Sequence, residues 1–389
     1  MNNKYDCIVI GSGIIGSSIA YFLSKEKMKI AVFEKGNVGE GTSSACDGIV
    51  FLQSKKPGIS LQLAKESISI IHELQTEFTR DIEYEQKGGL VVINSKNEMK
   101  AFEKKVQELQ TFGVNVKLLN AKKTLEIEPF LSKEVYGSTF CDLDGSINPI
   151  ALNLAFAETA FKNGVNFYPL TEIINFIIEN DRIIGVKTAK GENFYANKII
   201  LATGIYSNKL LLKINIQLPI IPRRGQIIIS EPIAPLLNHA ILSGRYLAAK
   251  LFPEMLEDQS NPLNQLGIGL VIEQAKSGNL LIGSTREFAG EDKGTTFLGI
   301  EYILKHALTI IPSLQDVSII RTFSGLRPYT KSGLPIISKI LPYDNLVIAT
   351  GHEGDGITLS AITGKLVKQM VLEEKLTCCI DELKYSKFL

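Results

Sequence analysis

The sequence predicts an α/β chain in which a Rossmann-like unit on a parallel sheet joins a second, α+β region built on a mostly antiparallel sheet. Three features carry that prediction. The chain opens on an apolar run, a glycine-rich turn and an apolar helix pattern; residues 219–323 read mostly as short alternating strands; and the strand, turn, helix order returns near the C-terminus. At 389 residues the chain is too long for one small core, so two domains are expected. The first would comprise residues 1–84, 145–218 and 324–389, and the second residues 85–144 and 219–323.

The opening stretch, YDCIVIGSGIIGSSIAYFLSKEKMKIAVFEK, is the most specific. Cys7 to Ile10 form an uninterrupted apolar run, the pattern of a buried parallel strand. Gly11, Gly13 and Gly16 follow with G-x-G-x-x-G spacing, and Ile14 to Leu23 carry apolar residues at helical spacing. Gly11 permits the tight turn, Gly13 lets backbone N–H groups approach a pyrophosphate, and Gly16 lets the helix pack close to the strand. The helix N-terminus adds partial positive charge. A second apolar run, Ile30 to Phe33, ends in Glu34, whose carboxylate can accept hydrogen bonds from ribose hydroxyls and would repel a 2′-phosphate. Strand, turn, helix, strand and acid in that order point to a bound dinucleotide other than NADP. NAD and FAD both remain open on this motif.

Further along, KGNVGEGTSSACDG is dense in small and hydroxyl residues, suiting either a second phosphate-facing surface or a plain loop. A helix is expected from about Ser60 to Arg80, with Leu61, Ala64, Ile68, Ile71, Leu74 and Phe78 on one face. KGGLVVIN reads as a strand, Lys96 to Phe112 as a charged amphipathic helix, and Ile150 to Lys162 as another helix. Three or more strands follow, with turns at Asn180-Asp181 and Gly191-Glu192, and Lys198 begins a buried strand running into Thr203-Gly204. RRGQIIIS, RYLAAKLF, LGIGLVIEQA and NLLIGSTREF read as strands of the second sheet, interrupted by a helix at Gly299 to Ile311. Residues 251–266, polar and containing proline, read as a surface loop, with a lid or subunit contact as alternatives.

Composition narrows the function. Hydrophobic residues make up 45% and charged residues 21%, and the net charge is +1, with no dense basic run to bind nucleic acid. No segment reaches the ~18 consecutive apolar residues of a membrane span. The glycine-interrupted N-terminal run is not a signal peptide, and a cytoplasmic location is expected. Cys7, Cys46, Cys141, Cys378 and Cys379 lack zinc spacing, so reduced thiols and no metal site are expected.

The C-terminal stretch NLVIATGHEGDGITLSAITGKLVKQMV favours flavin over nicotinamide. An NAD unit is complete within one contiguous half of a chain. A late return of the Gly-rich turn places a second helix N-terminus at the far end of a longer cofactor, where a flavin gathers negative charge on reduction. Together, VIGSGIIGSSIAYFL, Glu34-Lys35, GTSS, IILATG, GLRPYTKSGLPIIS and IATGHEGDGITLS resemble the D-amino-acid oxidase superfamily of FAD-dependent oxidoreductases across nearly the whole chain. The likeness is greatest to the branch holding glycine oxidase, the sarcosine oxidase beta subunit and the FAD subunits of proline dehydrogenase, opine oxidase and hydrogen cyanide synthase complexes.

That resemblance implies a glutathione-reductase-type FAD-binding domain and a substrate domain. Gly11, Gly13 and Gly16, with Ile14 and Ile15 opening the helix, would hold the pyrophosphate, and Glu34 with Lys35 the adenosine ribose. Thr42, Ser43 and Ser44 match the second phosphate and flavin-side loop, Ile173 an adenine-side backbone contact, and Ala202, Thr203 and Gly204 a cofactor wall. Gly351, His352, Glu353, Gly354, Asp355, Gly356, Ile357 and Thr358 would cap the isoalloxazine. Some relatives attach flavin through a histidine in the loop matching residues 41–48; Ala45 stands there, with Cys46 beside it, so non-covalent FAD is expected.

Arg327 matches the arginine that clasps a substrate carboxylate, a bidentate task suited to a guanidinium, and it also borders the cofactor. Tyr246, expected on a strand, would line the substrate pocket, and His352 would hydrogen-bond flavin or substrate. The implied reaction is oxidation of a small amino acid or secondary amine carboxylate, such as glycine, sarcosine, proline or an opine. The implied setting is a dehydrogenase complex with a partner subunit carrying FMN or an iron–sulfur centre. A free-standing, oxygen-dependent oxidase is the alternative, and a flavin-dependent tRNA-modifying enzyme a more distant one.

Overall fold

The computed structural model describes residues 3–251, 258 and 260–389. Of the segment 251–266, residues 252–257 and 259 lie outside the described residues, and Pro262–Gln265 form a short helix. Two large sheets organise the rest. The first runs in the order Ile336–Ile340, Tyr343–Thr350, Asn193–Leu201, Lys4–Ile10, Ile30–Phe33, Asn166–Tyr168. The five strands from Tyr343–Thr350 to Asn166–Tyr168 are mutually parallel, whereas Ile336–Ile340 is antiparallel to its neighbour. The strands Ile173–Glu179 and Arg182–Thr188 extend from Asn193–Leu201 as an antiparallel branch. Their turn at Asn180 and Asp181 uses positive φ at both residues, as a tight hairpin requires.

Register explains where a ligand can sit. Ile10 aligns with Leu201 and Phe33, and Leu201 with Ile348, so the parallel strands end together. Beyond those ends the chain turns at Gly11, Gly204 and Gly351, all with positive φ. Helices then cover the sheet. The first, Ile14–Ser24, lies against the last, Gly356–Leu372, so closely that a Cβ on Gly364 would fall 2.3 Å from Ser18 Oγ. Ser18 Oγ also donates to Ser360 O at 2.9 Å, tying the N-terminal and C-terminal turns into one unit.

The second sheet has the order Ile319–Tyr329, Ile221–Pro232, Asn279–Gly283, Val271–Gln274, Ala240–Ser243, Gly89–Ile93, Gly137–Cys141, Val116–Asn120. Every pairing is antiparallel except Ala240–Ser243 with Gly89–Ile93. Helix Phe297–Ile310 presses Ile303, Ala307 and Ile310 onto Ile228, Ile272 and Ile282. The chain rejoins the first sheet only with Ile336–Ile340, so the expected segment 324–389 begins inside a strand of the second sheet.

Most expected elements form within a residue or two of their bounds. The helix expected from about Ser60 to Arg80 ends sooner, at Leu74, and bonds from Glu77 N and Phe78 N to Leu74 O complete the turn. Its expected face, Phe78 included, is buried. One element changes type. RYLAAKLF, expected as a strand, is helical over Gly244–Leu251. Ser243 ends the preceding strand and its Oγ accepts from Tyr246 N at 3.2 Å, an N-cap that starts a helix where the apolar run alone suggests extension. No described helix is long and apolar enough to cross a membrane.

Candidate active site

A cavity of about 670 Å³ lies where the carboxyl ends of the parallel strands face the second sheet. Its walls run from Glu34 and Ile173 at one end, past Gly11, Gly13 and Ala202, to Tyr246, Arg327 and Gly354 at the other. Such a position, outside the strand ends, is where open α/β sheets bind ligands.

At the first end the walls are mostly backbone. A Cβ on Gly11 would sit 2.5 Å from Ala202 O, and one on Gly16 would sit 1.9 Å from Gly11 O. Helix Ile14–Ser24 begins without a side-chain cap from Gly13; instead Ser43, from a distant loop, accepts from Ile14 N at 2.9 Å. Glu34 receives Ser12 N at 2.8 Å and Gly36 N at 3.1 Å. Its neighbour Lys35 places Nζ 3.1 Å from the centroid of the Tyr206 ring.

The loop carrying GTSS is pinned between the two sheets. Thr42 Oγ1 donates to Leu326 O at 2.7 Å, and Gly325 approaches so closely that a Cβ there would fall 2.1 Å from Ala45 O. Ser44 turns away, donating to Glu40 O and Gly41 O at 3.2 Å. Cys46 Sγ lies 3.6 Å from Ser43 O, and burial holds its thiol well above the usual range, in the protonated form. Five expected contacts stand behind the wall: Gly16, Ser44, Gly351, Asp355 and Thr358 are absent from the lining. Gly351 instead abuts Thr330, and Asp355 receives the Lys55 ammonium at 2.7 Å.

At the second end the walls are side chains. Arg327 extends from strand Ile319–Tyr329, and a Cβ on Gly225 of the facing strand would fall 2.4 Å from its Nη1. Arg327 donates to Thr285 O at 3.1 Å and Ser284 Oγ at 2.5 Å. Gly354 of the C-terminal turn lies opposite, its would-be Cβ 3.7 Å from Arg327 Nε. Glu353, at positive φ, pairs with Arg223.

His352 is among the residues lining the cavity, at the C-terminal Gly-rich turn. Its Nε2 shares a 3.0 Å hydrogen bond with Thr363 on the covering helix, and burial lowers its pKa to about 3. The imidazole is therefore held neutral near pH 7, and its Nε2 bond ties the turn to the covering helix. Tyr246 does line the cavity, but from a helix, with the Arg286 guanidinium 4.3 Å above its ring.

Sequence reasoning missed Arg286, Asp47 and Glu273. Burial, with the charges of Arg327 and Arg223, lowers Arg286 to about 10. Asp47 lines the cavity and lies close enough to feel both Arg327 and Arg286. Glu273 accepts from Gly48 N at 2.8 Å and, through burial and the charge of Asp47, rises to about 8. The signal for Arg286 was the polar cluster S-T-R-E closing the apolar strand NLLIG; Asp47 and Glu273, far apart in sequence, gave none.

A flavin dinucleotide fits these residues. The glycine cradle and helix start suit a pyrophosphate, Glu34 a ribose, and the volume between the GTSS loop and the C-terminal turn a broad ring system.

Known proteins agree with that assignment. Over 381 residues the chain is 28% identical to glycine oxidase of Geobacillus kaustophilus, covering 95% of this chain and 94% of that one. It is also 28% identical to hydrogen cyanide synthase subunit HcnC of Pseudomonas aeruginosa, over 100% and 97% of the two chains. L-proline dehydrogenase from P. horikoshii superposes with a TM-score of 0.89 at 25% identity, covering 100% and 98%. The family model for FAD-dependent oxidoreductases of the DAO type matches residues 6–370, spanning both sheets and the cavity between them. The chain therefore belongs to the DAO family of FAD-dependent oxidoreductases.

Proposed function

We propose that the protein oxidises a small amine carboxylate, serving as the catalytic subunit of a dehydrogenase complex with non-covalent FAD. The observation that carries this is Arg327, a guanidinium in the cavity wall opposite the C-terminal Gly-rich turn, with no carboxylate among the described residues within ion-pairing distance. Glycine oxidase and L-proline dehydrogenase support the amine class by their names, and the hydrogen cyanide synthase subunit supports a subunit role.

Bound FAD supplies the two-electron acceptor for hydride from the carbon beside the nitrogen. Arg327 would take the substrate carboxylate, its Thr285 and Ser284 contacts holding the guanidinium in place. Tyr246 would shield the apolar side of the substrate. As the C–H bond breaks, the nitrogen lone pair forms the C=N bond and the amine proton leaves to solvent or a nearby base. Water then adds to the imine, giving a 2-oxo acid and an amine, unless the product is cyclic.

Gly11, Gly13, Glu34, Lys35, the GTSS loop, Ile173 and Ala202 to Gly204 are proposed to hold the nucleotide and phosphates, and the turn of residues 351–358, through His352 to Gly354, Gly356 and Ile357 in the wall, the ring. The test is an anaerobic visible titration of the holoprotein with glycine, sarcosine, D- and L-proline, D-alanine and an opine. Bleaching of the flavin band by one of them, lost in Arg327→Met, is the expected result; bleaching unaffected by that change would sink the assignment. Rapid reoxidation by air of the lone chain would favour a free-standing oxidase over a subunit.

A further inference from the structure

Among the described residues, five acids border the cavity: Glu34, Glu40, Asp47, Glu172 and Glu353. All but Asp47 have a place elsewhere. Glu34 takes the amides of Ser12 and Gly36, Glu40 takes Asn37 N at 2.7 Å, Glu172 lies beside Ile173 at the Glu34 end, and Glu353 pairs with Arg223. Asp47, just past the GTSS loop, has the Ile49 amide beside it, and no side-chain cation among the described residues comes within 4.0 Å.

Arg327 has the converse surroundings. It donates to Thr285 O and Ser284 Oγ, and no carboxylate among the described residues stands within 4.0 Å. Yet Arg327 is the charge that Asp47 feels most strongly, ahead of Arg286. The wall thus carries an anion and a cation, near each other but fixed by separate elements and not touching. Opposite charges held apart in a poorly solvated place are costly unless a ligand brings the complementary pair.

The other polar groups of this end do not bring it. Arg286 is absent from the lining and lies over the Tyr246 ring, and Glu273 is held by Gly48 N at 2.8 Å. Burial keeps the Cys46 thiol protonated. Lys293 is exposed where it borders the cavity, and its charge reaches Glu40.

We propose that Asp47 receives the ammonium group of the substrate while Arg327 holds its carboxylate, so that the cavity selects opposite charges borne on one carbon. This deepens the amine-oxidation reading and rests on it. Asp47 then has a second task. The bound ammonium passes one proton to the Asp47 carboxylate, the freed lone pair forms C=N as hydride leaves the α-carbon for FAD, and the acid returns its proton to solvent.

Binding can be tested without turnover. 2-Aminoisobutyrate has no α-hydrogen and so no hydride to give, and pivalate is the same acid with a methyl group in place of the ammonium. Each is titrated against the visible flavin spectrum of the FAD-loaded holoprotein. 2-Aminoisobutyrate is expected to bind at least about tenfold more tightly, the scale of a hydrogen bond between charged groups. Asp47→Asn keeps the shape and removes the charge, and is expected to bring that ratio to about one with flavin content unchanged. Asp47→Ser carries the same expectation should the amide variant lose its flavin. Equal affinities in the unsubstituted protein overturn the proposal, as does a spectrum that responds to neither acid, or a ratio that survives both substitutions.

Arg327→Met separates this proposal from the reading beneath it. If pivalate binds only with Arg327 present and the amino acid has no advantage, the carboxylate site stands and the role of Asp47 falls. If the preference depends on Asp47 but no amine bleaches the flavin, the paired-charge site stands and amine oxidation fails. With an amine that does bleach it, Asp47→Asn is expected to slow flavin reduction at saturation roughly 10²-fold. The remaining rate should rise about tenfold per pH unit below the pKa of the amine, because solvent must then remove the proton. A rate indifferent to pH in that variant removes the proton step.

Discussion

At the Glu34 end of the cavity the walls are backbone, set by glycines lying within a few residues of one another. At the Arg327 end they are side chains drawn from distant parts of the chain: Asp47 just after the GTSS loop, Tyr246 from a helix, Arg327 from a strand and Glu353 from the C-terminal turn. The first end is tolerant in side-chain identity but intolerant of any added Cβ, since Gly11 and Gly16 already touch Ala202 O and Gly11 O. The second end is the reverse: its scaffold is an ordinary antiparallel sheet, and what sets it apart is which side chains reach the cavity. The first end is thus set by local geometry, and the second by side chains that only folding brings together.

The sharpest way to break that contrast is Gly16→Val, which forces a Cβ into the 1.9 Å gap to Gly11 O. The purified variant is expected to lack a flavin band, with FAD affinity at least about 100-fold lower. A full complement of flavin in that variant would show that the turn can open and that the backbone wall is not decisive. Next in size is Arg327→Met, expected to lower kcat/KM for the best amine roughly 10²- to 10³-fold while flavin content is unchanged. Loss of flavin together with activity would merge the two ends into one cooperative site.

A smaller effect tests the buried acid of the substrate end. Glu273 has a folded pKa of about 8, above the ordinary 4.5, so the folded chain keeps a proton that the unfolded chain releases. Its contribution to stability is complete below the ordinary value and is lost as pH rises toward about 8. Glu273→Gln is expected to flatten the decline of Tm across that window by roughly 2 °C, read by thermal melts at several pH values. An unchanged slope would mean that Glu273 is ionised in the folded protein.

The smallest effect is expected at His352. Its folded pKa of about 3 lies below the ordinary 6.5, so its contribution is complete above that value and is lost as pH falls toward 3. His352→Gln is expected to change kcat no more than about threefold and to leave the limbs of the pH–rate profile in place between about pH 6 and 9. Disappearance of a limb near neutrality would return His352 to the chemistry.

Legibility in the sequence follows the same division. Strands Ile30–Phe33 and Asn193–Leu201 and helix Ile14–Ser24 could be read because a continuous apolar run or a 3.6-residue period is a local signal. The RYLAAKLF segment was misread because its apolar content suits either state, and the Ser243 cap that decides between them depends on where the preceding strand ends. His352 could be placed at the flavin turn from its glycine neighbours. That its ring points to Thr363 depends on the packing of the covering helix.

The amino-acid sequence alone determined the dinucleotide turn, the two-sheet plan and the position of Arg327, because each rests on residues adjacent in the chain or on a family pattern spanning it. Only the tertiary structure decided that Arg286 lies over Tyr246 beside Arg327, and that Asp47 meets Glu273 under Gly48. Coulomb interactions act through space between groups that folding brings together, and no periodicity records such a meeting in advance.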